Sequence, residues 1–201
     1  HTADDQAETF LMNLARGSGI DGLVGMRHRW TADGIIWARP FLALDRTKLR
    51  GWLTRRGIGW VEDPSNEDSR YQRVRARKVL AALTPLGIDA QVLSGVTQNL
   101  SSVRQALAAQ TYDIAKEIAR VDVGDVLFDR LGFRSAPAEV QRRLLIAALR
   151  WISNGEHPPR ETALIEAGIA ITGGKNHTLS GCRILTTDID IRITREARAV
   201  R

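Results

Sequence analysis

Between Asp4 and Ala15 the apolar residues Ala7, Phe10, Leu11, Leu14 and Ala15 fall on one arc at about 100° per residue. This pattern predicts an amphipathic helix that stops at Arg16-Gly17-Ser18-Gly19. No strand precedes it, so the chain reads as beginning partway through a domain. A glycine-rich stretch follows through Gly22 and Gly25. Arg27 to Trp30 and Ile35 to Ala38 then flank Thr31-Ala32-Asp33-Gly34, the pattern of a hairpin with glycine at its turn, and Arg39-Pro40 ends it. Asp45 is placed to cap a helix from Arg46 to Arg56 that Gly57 closes. Gly59-Trp60-Val61 reads as a brief strand entering the turn Glu62-Asp63-Pro64-Ser65-Asn66. Helix and strand alternate up to this point, as in an α/β domain.

From Ser69 onward helical patterns dominate, over residues 70–83, 90–119, 137–153 and 160–171. The expected architecture is therefore α/β followed by mainly α. Leu83-Thr84-Pro85-Leu86-Gly87 marks the boundary, dividing the chain into 1–84 and 85–201. In the long second helix Val92, Val96, Leu100, Val103, Leu107, Ile114 and Ile118 keep helical spacing and are expected to face a core. The period then changes: Ile189, Ile191 and Ile193 alternate with Asp188, Asp190 and Arg192 in a half-buried strand, with Leu179 to Thr186 as its partner in a terminal β-hairpin.

Composition narrows the function. The chain of 201 residues is 43% apolar, enough to bury a core, and no apolar run approaches the roughly 20 residues that span a bilayer. We expect a cytoplasmic protein with no membrane partner. Cys182 is the only cysteine, which excludes an intrachain disulfide and a Cys-x-x-Cys metal or redox pair. With 29 basic against 23 acidic residues the net charge is +6, which favours a polyanionic partner.

Two acids stand out on the first helix. Asp4 lies between Leu11 and Ala15 on the helical wheel, inside the apolar arc, and Glu8 lies one turn further on at its edge. Burying an unpaired carboxylate is costly, so this pair points to a cation, a hydrogen-bonding ligand or a cleft. The plainer alternative is that Asp4 complements the dipole of the helix N-terminus. Further along, Arg70, Arg73 and Arg77 follow i, i+3, i+7 spacing beside an apolar arc of Ala76, Val79, Leu80 and Leu83; the run is either a solvated face or a phosphate contact. Trp30, Trp37, Trp52, Trp60 and Trp151 read as core or hairpin packing rather than as stacking surfaces for bases.

The stretch His1-Thr2-Ala3-Asp4-Asp5-Gln6-Ala7-Glu8-Thr9, with Leu14-Ala15-Arg16-Gly17-Ser18-Gly19-Ile20-Asp21-Gly22-Leu23 and Gly25-Met26 behind it, closely resembles a signature of bacterial tRNA(Ile)-lysidine synthetases, of the N-type ATP-pyrophosphatase family. The resemblance continues in order through Arg39-Pro40-Phe41-Leu42, Trp60-Val61-Glu62-Asp63-Pro64-Ser65-Asn66 and the arginines from Arg70; it is dense to about Leu83 and thin afterwards. It implies that residues 1–84 are the C-terminal part of a Rossmann-like ATP-pyrophosphatase domain and that 85–201 form a helical tRNA-binding domain. The implied reaction has two steps. ATP adenylylates the C2 oxygen of the wobble cytidine of tRNA(Ile) with the CAU anticodon, and the amino group of L-lysine then displaces AMP.

The resemblance assigns catalysis to Asp4, on the lysine or the reacting base, and to Glu8 in support. It places His1, Asp5, Arg16, Gly17, Ser18 and Gly19 around ATP or substrate, tRNA phosphates on Arg70, Arg73 and Arg77, and Mg2+ near Asp4. Taken alone, His1 also reads as a solvated terminal residue and Gly17-Ser18-Gly19 as a helix stop. Val74 replaces the asparagine of the family's arginine run. The family's Ser-Gly-Gly-x-Asp-Ser loop, which binds pyrophosphate, does not occur in these residues, so this chain by itself is expected to be inactive. Two other readings remain. A tRNA thiolase of the same fold would need more sulfur chemistry than one cysteine offers, and a non-catalytic RNA-binding module would need only the basic helices. The oligomeric state stays open, homodimer included.

Overall fold

The structure is a computed structural model that describes residues 1–61, 72–155 and 157–197. By their contacts these fall into two compact units, 1–105 and 106–201. The division lies within one long helix, downstream of the Leu83–Gly87 loop that the sequence marks.

In the first unit, helix α1 (Ala3–Leu14) is followed by the single turn α2 (Ile20–Leu23), the hairpin β1 (Arg29–Ala32) and β2 (Ile35–Ala38), and helices α3 (Arg46–Arg55), α4 (Gln72–Leu83) and α5 (Ala90–Ile118), the last contributing its residues up to Gln105. Asp33 (φ 52°) and Gly34 (φ 74°) are both left-handed, the geometry of a type I′ turn whose twist matches that of the strands. Across the hairpin Trp30 and Trp37 stack at 6.0 Å, and the Arg39 guanidinium lies 4.3 Å above the Trp30 ring. Residues 59–61 form no strand, and Val61 is almost wholly exposed. The turn at 62–66 and Arg70 lie outside the described residues.

The small core of this unit joins Ala7 and Phe10 of α1 to Leu93 of α5, with Leu11, Leu23, Leu80 and Leu100 packed around them. Two predicted faces are corrected here. On α1 the buried residues are Ala3, Gln6, Ala7, Glu8 and Phe10, whereas Leu14 and Ala15 are exposed. On α5 it is Leu93, Ser94 and Thr97 that are buried, whereas Val92, Val96 and Val103 are exposed. In both cases polar side chains have entered the buried face, which a pattern of apolar residues alone does not reveal.

The second unit carries the larger correction. In place of a helical domain ending in a hairpin, five antiparallel strands form one sheet in the order β3-β4-β7-β6-β5, built from β3 (Ala119–Asp122), β4 (Asp125–Asp129), β5 (His177–Leu179), β6 (Cys182–Thr186) and β7 (Asp190–Arg195). The predicted pairing of β6 with β7 is present, with Ile184 opposite Ile193. Helices α6 (Arg130–Ser135), α7 (Ala138–Ser153) and α8 (Glu161–Thr172) complete the unit. Ile184, Ile191 and Ile193 pack with Leu144, Leu149 and Ile171 in its core, and Ile114 and Ile118 of α5 close one side. The Trp residues depart from expectation too: Trp52, Trp60 and Trp151 are exposed rather than buried.

Candidate active site

The acids of α1 are held by arginines from two other helices. Glu8 sits roughly 160° around α1 from Phe10, away from the apolar core, yet it is fully buried. Guanidinium groups bury it. Arg77 of α4 donates from Nε to Oε1 at 2.6 Å, Arg46 of α3 stands 3.6 Å from the same oxygen, and Arg73 of α4 lies 3.5 Å from Oε2. Oε2 itself accepts no hydrogen bond, although it is out of contact with solvent. Such an orphaned carboxylate oxygen is costly unless a donor or cation completes it. The wheel put Asp4 inside the apolar arc and Glu8 at its edge; the structure reverses their burial, with Glu8 enclosed and Asp4 half-buried.

Asp4 and Asp5 also work as helix-end residues. The Asp4 Oδ2 accepts the backbone N–H of Arg46 at 2.7 Å, so Asp4 caps α3 from outside, the position for which Asp45 was expected. The Asp45 side chain instead pairs with Lys48 at 2.9 Å and accepts a hydrogen bond from Gln91. These contacts, Lys48 foremost, hold its carboxyl below the usual range. Asp5 accepts the Thr2 N–H at 2.8 Å, the reciprocal half of a capping box, and its other oxygen binds Arg46 at 2.9 Å. The three acids and the arginines Arg46, Arg73 and Arg77 therefore form one charge cluster that ties α1 to α3 and α4. Val74, where the family has asparagine, is buried as an apolar residue of α4.

Beside this cluster lies a cavity of about 430 Å³. Asp4, Glu8, Asp45 and Asp89 supply four acids to its wall, Arg46 and Arg77 two cations, and Leu80, Ala81 and Ala90 an apolar floor. The arrangement suits a ligand with an ammonium group, a short aliphatic stem and a carboxylate. It does not suit a metal ion: among the described residues no three His, Cys, Asp or Glu side chains converge, and the three guanidiniums around Glu8 oppose a divalent cation. Among the described residues the Mg2+ expected near Asp4 has no ligand set.

His1, Arg16, Gly17, Ser18 and Gly19 are not among the residues that line this cavity. Arg16 is more than two helical turns beyond Glu8 along α1 and bonds the Gln72 side chain at 2.7 Å. The N–H groups of Arg16, Gly17 and Ser18 donate to the carbonyls of Asn13 and Leu14, and Gly17 is left-handed (φ 67°), so this segment ends α1 rather than presenting those amides to an anion. Gly19 is the N-cap of α2. His1 is exposed and accepts a hydrogen bond from Arg39 at 3.3 Å. Arg73 and Arg77 face Glu8 rather than open solvent, though Arg73 remains about half exposed. Sequence reasoning missed Arg46 as a site residue. Its signal was weak, since it is one of five basic residues between positions 46 and 56.

Comparison with known proteins gives the family. A family model described as a PP-loop domain matches residues 1–83. A tRNA(Ile)-lysidine synthase of Ruegeria pomeroyi is 48% identical over 200 residues, which is all of this chain and 48% of that protein. Proteins of the same name from Rhodopseudomonas palustris and Anaplasma marginale are 37% and 34% identical, over 83% and 92% of this chain and 48% and 40% of their own lengths. The chain thus spans about half the length of the curated relatives it matches, and it belongs, over its whole length, to the tRNA(Ile)-lysidine synthase family.

Proposed function

We propose that the protein to which this chain belongs is an ATP-dependent ligase that joins L-lysine to C2 of the wobble cytidine of tRNA(Ile), through an adenylylated intermediate. The carrying observation is the cavity whose wall brings Asp4, Glu8, Asp45 and Asp89 together with Arg46 and Arg77. A lysine ammonium would be drawn to those acids, Asp4 foremost. Its aliphatic stem would lie on Leu80, Ala81 and Ala90, and its carboxylate would find Arg46.

Within this reading Glu8 and Asp4 are the catalytic acids. The Oδ1 of Asp4 is left open when Oδ2 caps α3, so it can hold the ammonium or take its proton as the amine attacks. Arg77 is a positioning residue that fixes the Glu8 carboxylate. Arg46 joins the cap of α3 to Asp5. Arg73, still half exposed, can share Glu8 with a tRNA phosphate, and Arg70 would extend that contact along the backbone. When bound, ATP supplies the activating adenylyl group; the described residues assign it no pocket, and Mg2+ carries no step here. Residues 1–84 would serve the catalytic domain and 85–201 the tRNA-binding one. Among the described residues no single helix is long and apolar enough to cross a membrane, and we place the reaction in the cytoplasm.

The reading is tested by incorporation of labelled lysine into an unmodified tRNA(Ile) transcript by the full-length protein with ATP. Incorporation that depends on both ATP and the CAU anticodon is expected. A protein that binds the transcript without incorporating lysine would instead be a binding module. The thiolase alternative is not favoured by the relatives, and Cys182 is sealed in the core of the second unit, where burial pushes its thiol pKa up.

A further inference from the structure

A second cavity in the first unit, of about 370 Å³, has the opposite electrostatic character. Among the described residues no Asp or Glu lines it. Arg27 and His28 approach from the loop before the hairpin, Arg29 from the first position of β1, and Arg104 from α5. The side chains of Arg27, Arg29 and Arg104 have no hydrogen-bond or ion-pair partner among the described residues, even though Arg104 is half-buried. Elsewhere in the unit Arg46, Arg73 and Arg77 are all matched to acids. Arg27 and Arg29 are exposed and screened in part by water, but an anion entering the hollow would meet three guanidiniums that no acid of the described residues neutralises.

The α5 wall of the cavity carries the second observation. Ser94, Thr97, Ser101 and Arg104 recur at intervals of three and four and so share one face. Ser94 and Thr97 are buried, at 4% and 1% exposure, while Val92, Val96 and Val103 of the same helix are exposed. An ordinary amphipathic helix does the reverse. The loop opposite is held rigidly: Gln6, itself buried, accepts the Met26 N–H at 2.7 Å and donates to the Met26 carbonyl at 3.3 Å. Gly25 (φ 68°) fits there because a Cβ would come within 2.5 Å of the Gln6 Oε1. The Thr97 hydroxyl donates to the Ser94 carbonyl at 2.7 Å and is spent within the helix; the guanidinium forks, the Ser101 hydroxyl and the preset backbone are what a tetrahedral oxyanion recognises.

We infer that this cavity is a phosphate-binding site, distinct from the acid-lined cavity beside Glu8. The inference does not depend on the ligase reading. The phosphate can come from an RNA backbone or from a free pyrophosphate, and two measurements on the full-length protein separate them. One is the affinity for an unmodified tRNA transcript across a salt series; the other is calorimetric titration with pyrophosphate. Arg27→Gln and Arg104→Gln are the probes. Arg55→Gln, an exposed arginine of α3 that lines neither cavity, is the control.

If RNA occupies the site, each probe weakens transcript binding several-fold and lowers the slope of log affinity against log salt by about 1, while the control does neither. If free phosphate occupies it, the number of pyrophosphate ions bound falls by one in both probes and the RNA slope is unchanged. Both outcomes support a phosphate site. The inference is overturned if both probes, with unchanged melting temperatures, bind transcript and pyrophosphate like the unaltered protein. Loss of lysine incorporation with intact phosphate binding would count against the ligase reading alone.

Discussion

Replacing Glu8 by glutamine tests whether the charge cluster organises the first unit. The side chain is fully buried, and its Oε1 accepts from the Arg77 Nε at 2.6 Å, so the substitution deletes a buried charge while keeping the volume. Removing one partner of a buried pair costs about 3–5 kcal/mol because the other charge is stranded. Here the Arg77 side chain is 28% exposed and can rehydrate in part, which brings the expected loss to about 2–3 kcal/mol. The assay is urea unfolding at neutral pH of the single variants Glu8→Gln and Arg77→Gln and of the double variant. In this cycle the two residues should couple by about 1.5–3 kcal/mol. The pair of Glu8 with Arg73, at 3.5 Å and with Arg73 46% exposed, should couple by less than about 1 kcal/mol. A Glu8–Arg77 coupling near zero, with both single variants near wild type, would refute the claim that the guanidiniums account for the burial of Glu8.

Val123 occupies a left-handed position (φ 50°) while its side chain is 99% exposed, so Val123→Asn should gain about 1 kcal/mol and raise the melting temperature; an unchanged or lower value would remove the strain argument. Glu139 makes charge-assisted hydrogen bonds to Arg142 and Arg143, and its carboxyl is held below its ordinary value chiefly by Arg142. A depressed carboxyl contributes stability above its unfolded pKa, near 4.5, and loses it as pH falls through the folded one. Glu139→Gln should therefore cost about 0.5–1 kcal/mol at pH 7, discounted for solvent screening, and nothing once both states are protonated; a pH-independent difference would contradict this. Cys182, fully buried with its thiol pushed up, should resist alkylation in the native protein and react only on unfolding, and labelling at the rate of a free thiol would place it elsewhere.

What could be read from the sequence depended on whether one residue type carried the signal. The Asp33-Gly34 hairpin was legible because both residues tolerate positive φ, and helices α1, α3, α7 and α8 followed from period and punctuation. The hairpins at Val123-Gly124 and Ser180-Gly181 use the same left-handed pair of conformations, but the β-branched valine of the first is a poor turn signal. With the first of them β3 and β4 were lost, and the second unit looked helical. The site divided along similar lines. That α1 carries acids in a demanding place was visible, and a family signature made it specific. Which acid is enclosed was not, because Glu8 is buried by guanidiniums that approach from residues 38, 65 and 69 positions away, and no periodicity reports such contacts.

The central claim is that the Asp4 and Glu8 carboxylates receive the lysine amine. Asp4→Asn tests it most directly, because asparagine can still accept the Arg46 N–H and cap α3 while the charge is lost. In the full-length protein, with tRNA(Ile) transcript and ATP, the account predicts near-normal tRNA affinity and pyrophosphate release. It predicts lysine-dependent AMP release slowed by at least about 100-fold, the scale of a lost acid–base or electrostatic partner. Lysidine formation by Asp4→Asn at the wild-type rate would contradict it and leave Asp4 as a helix cap.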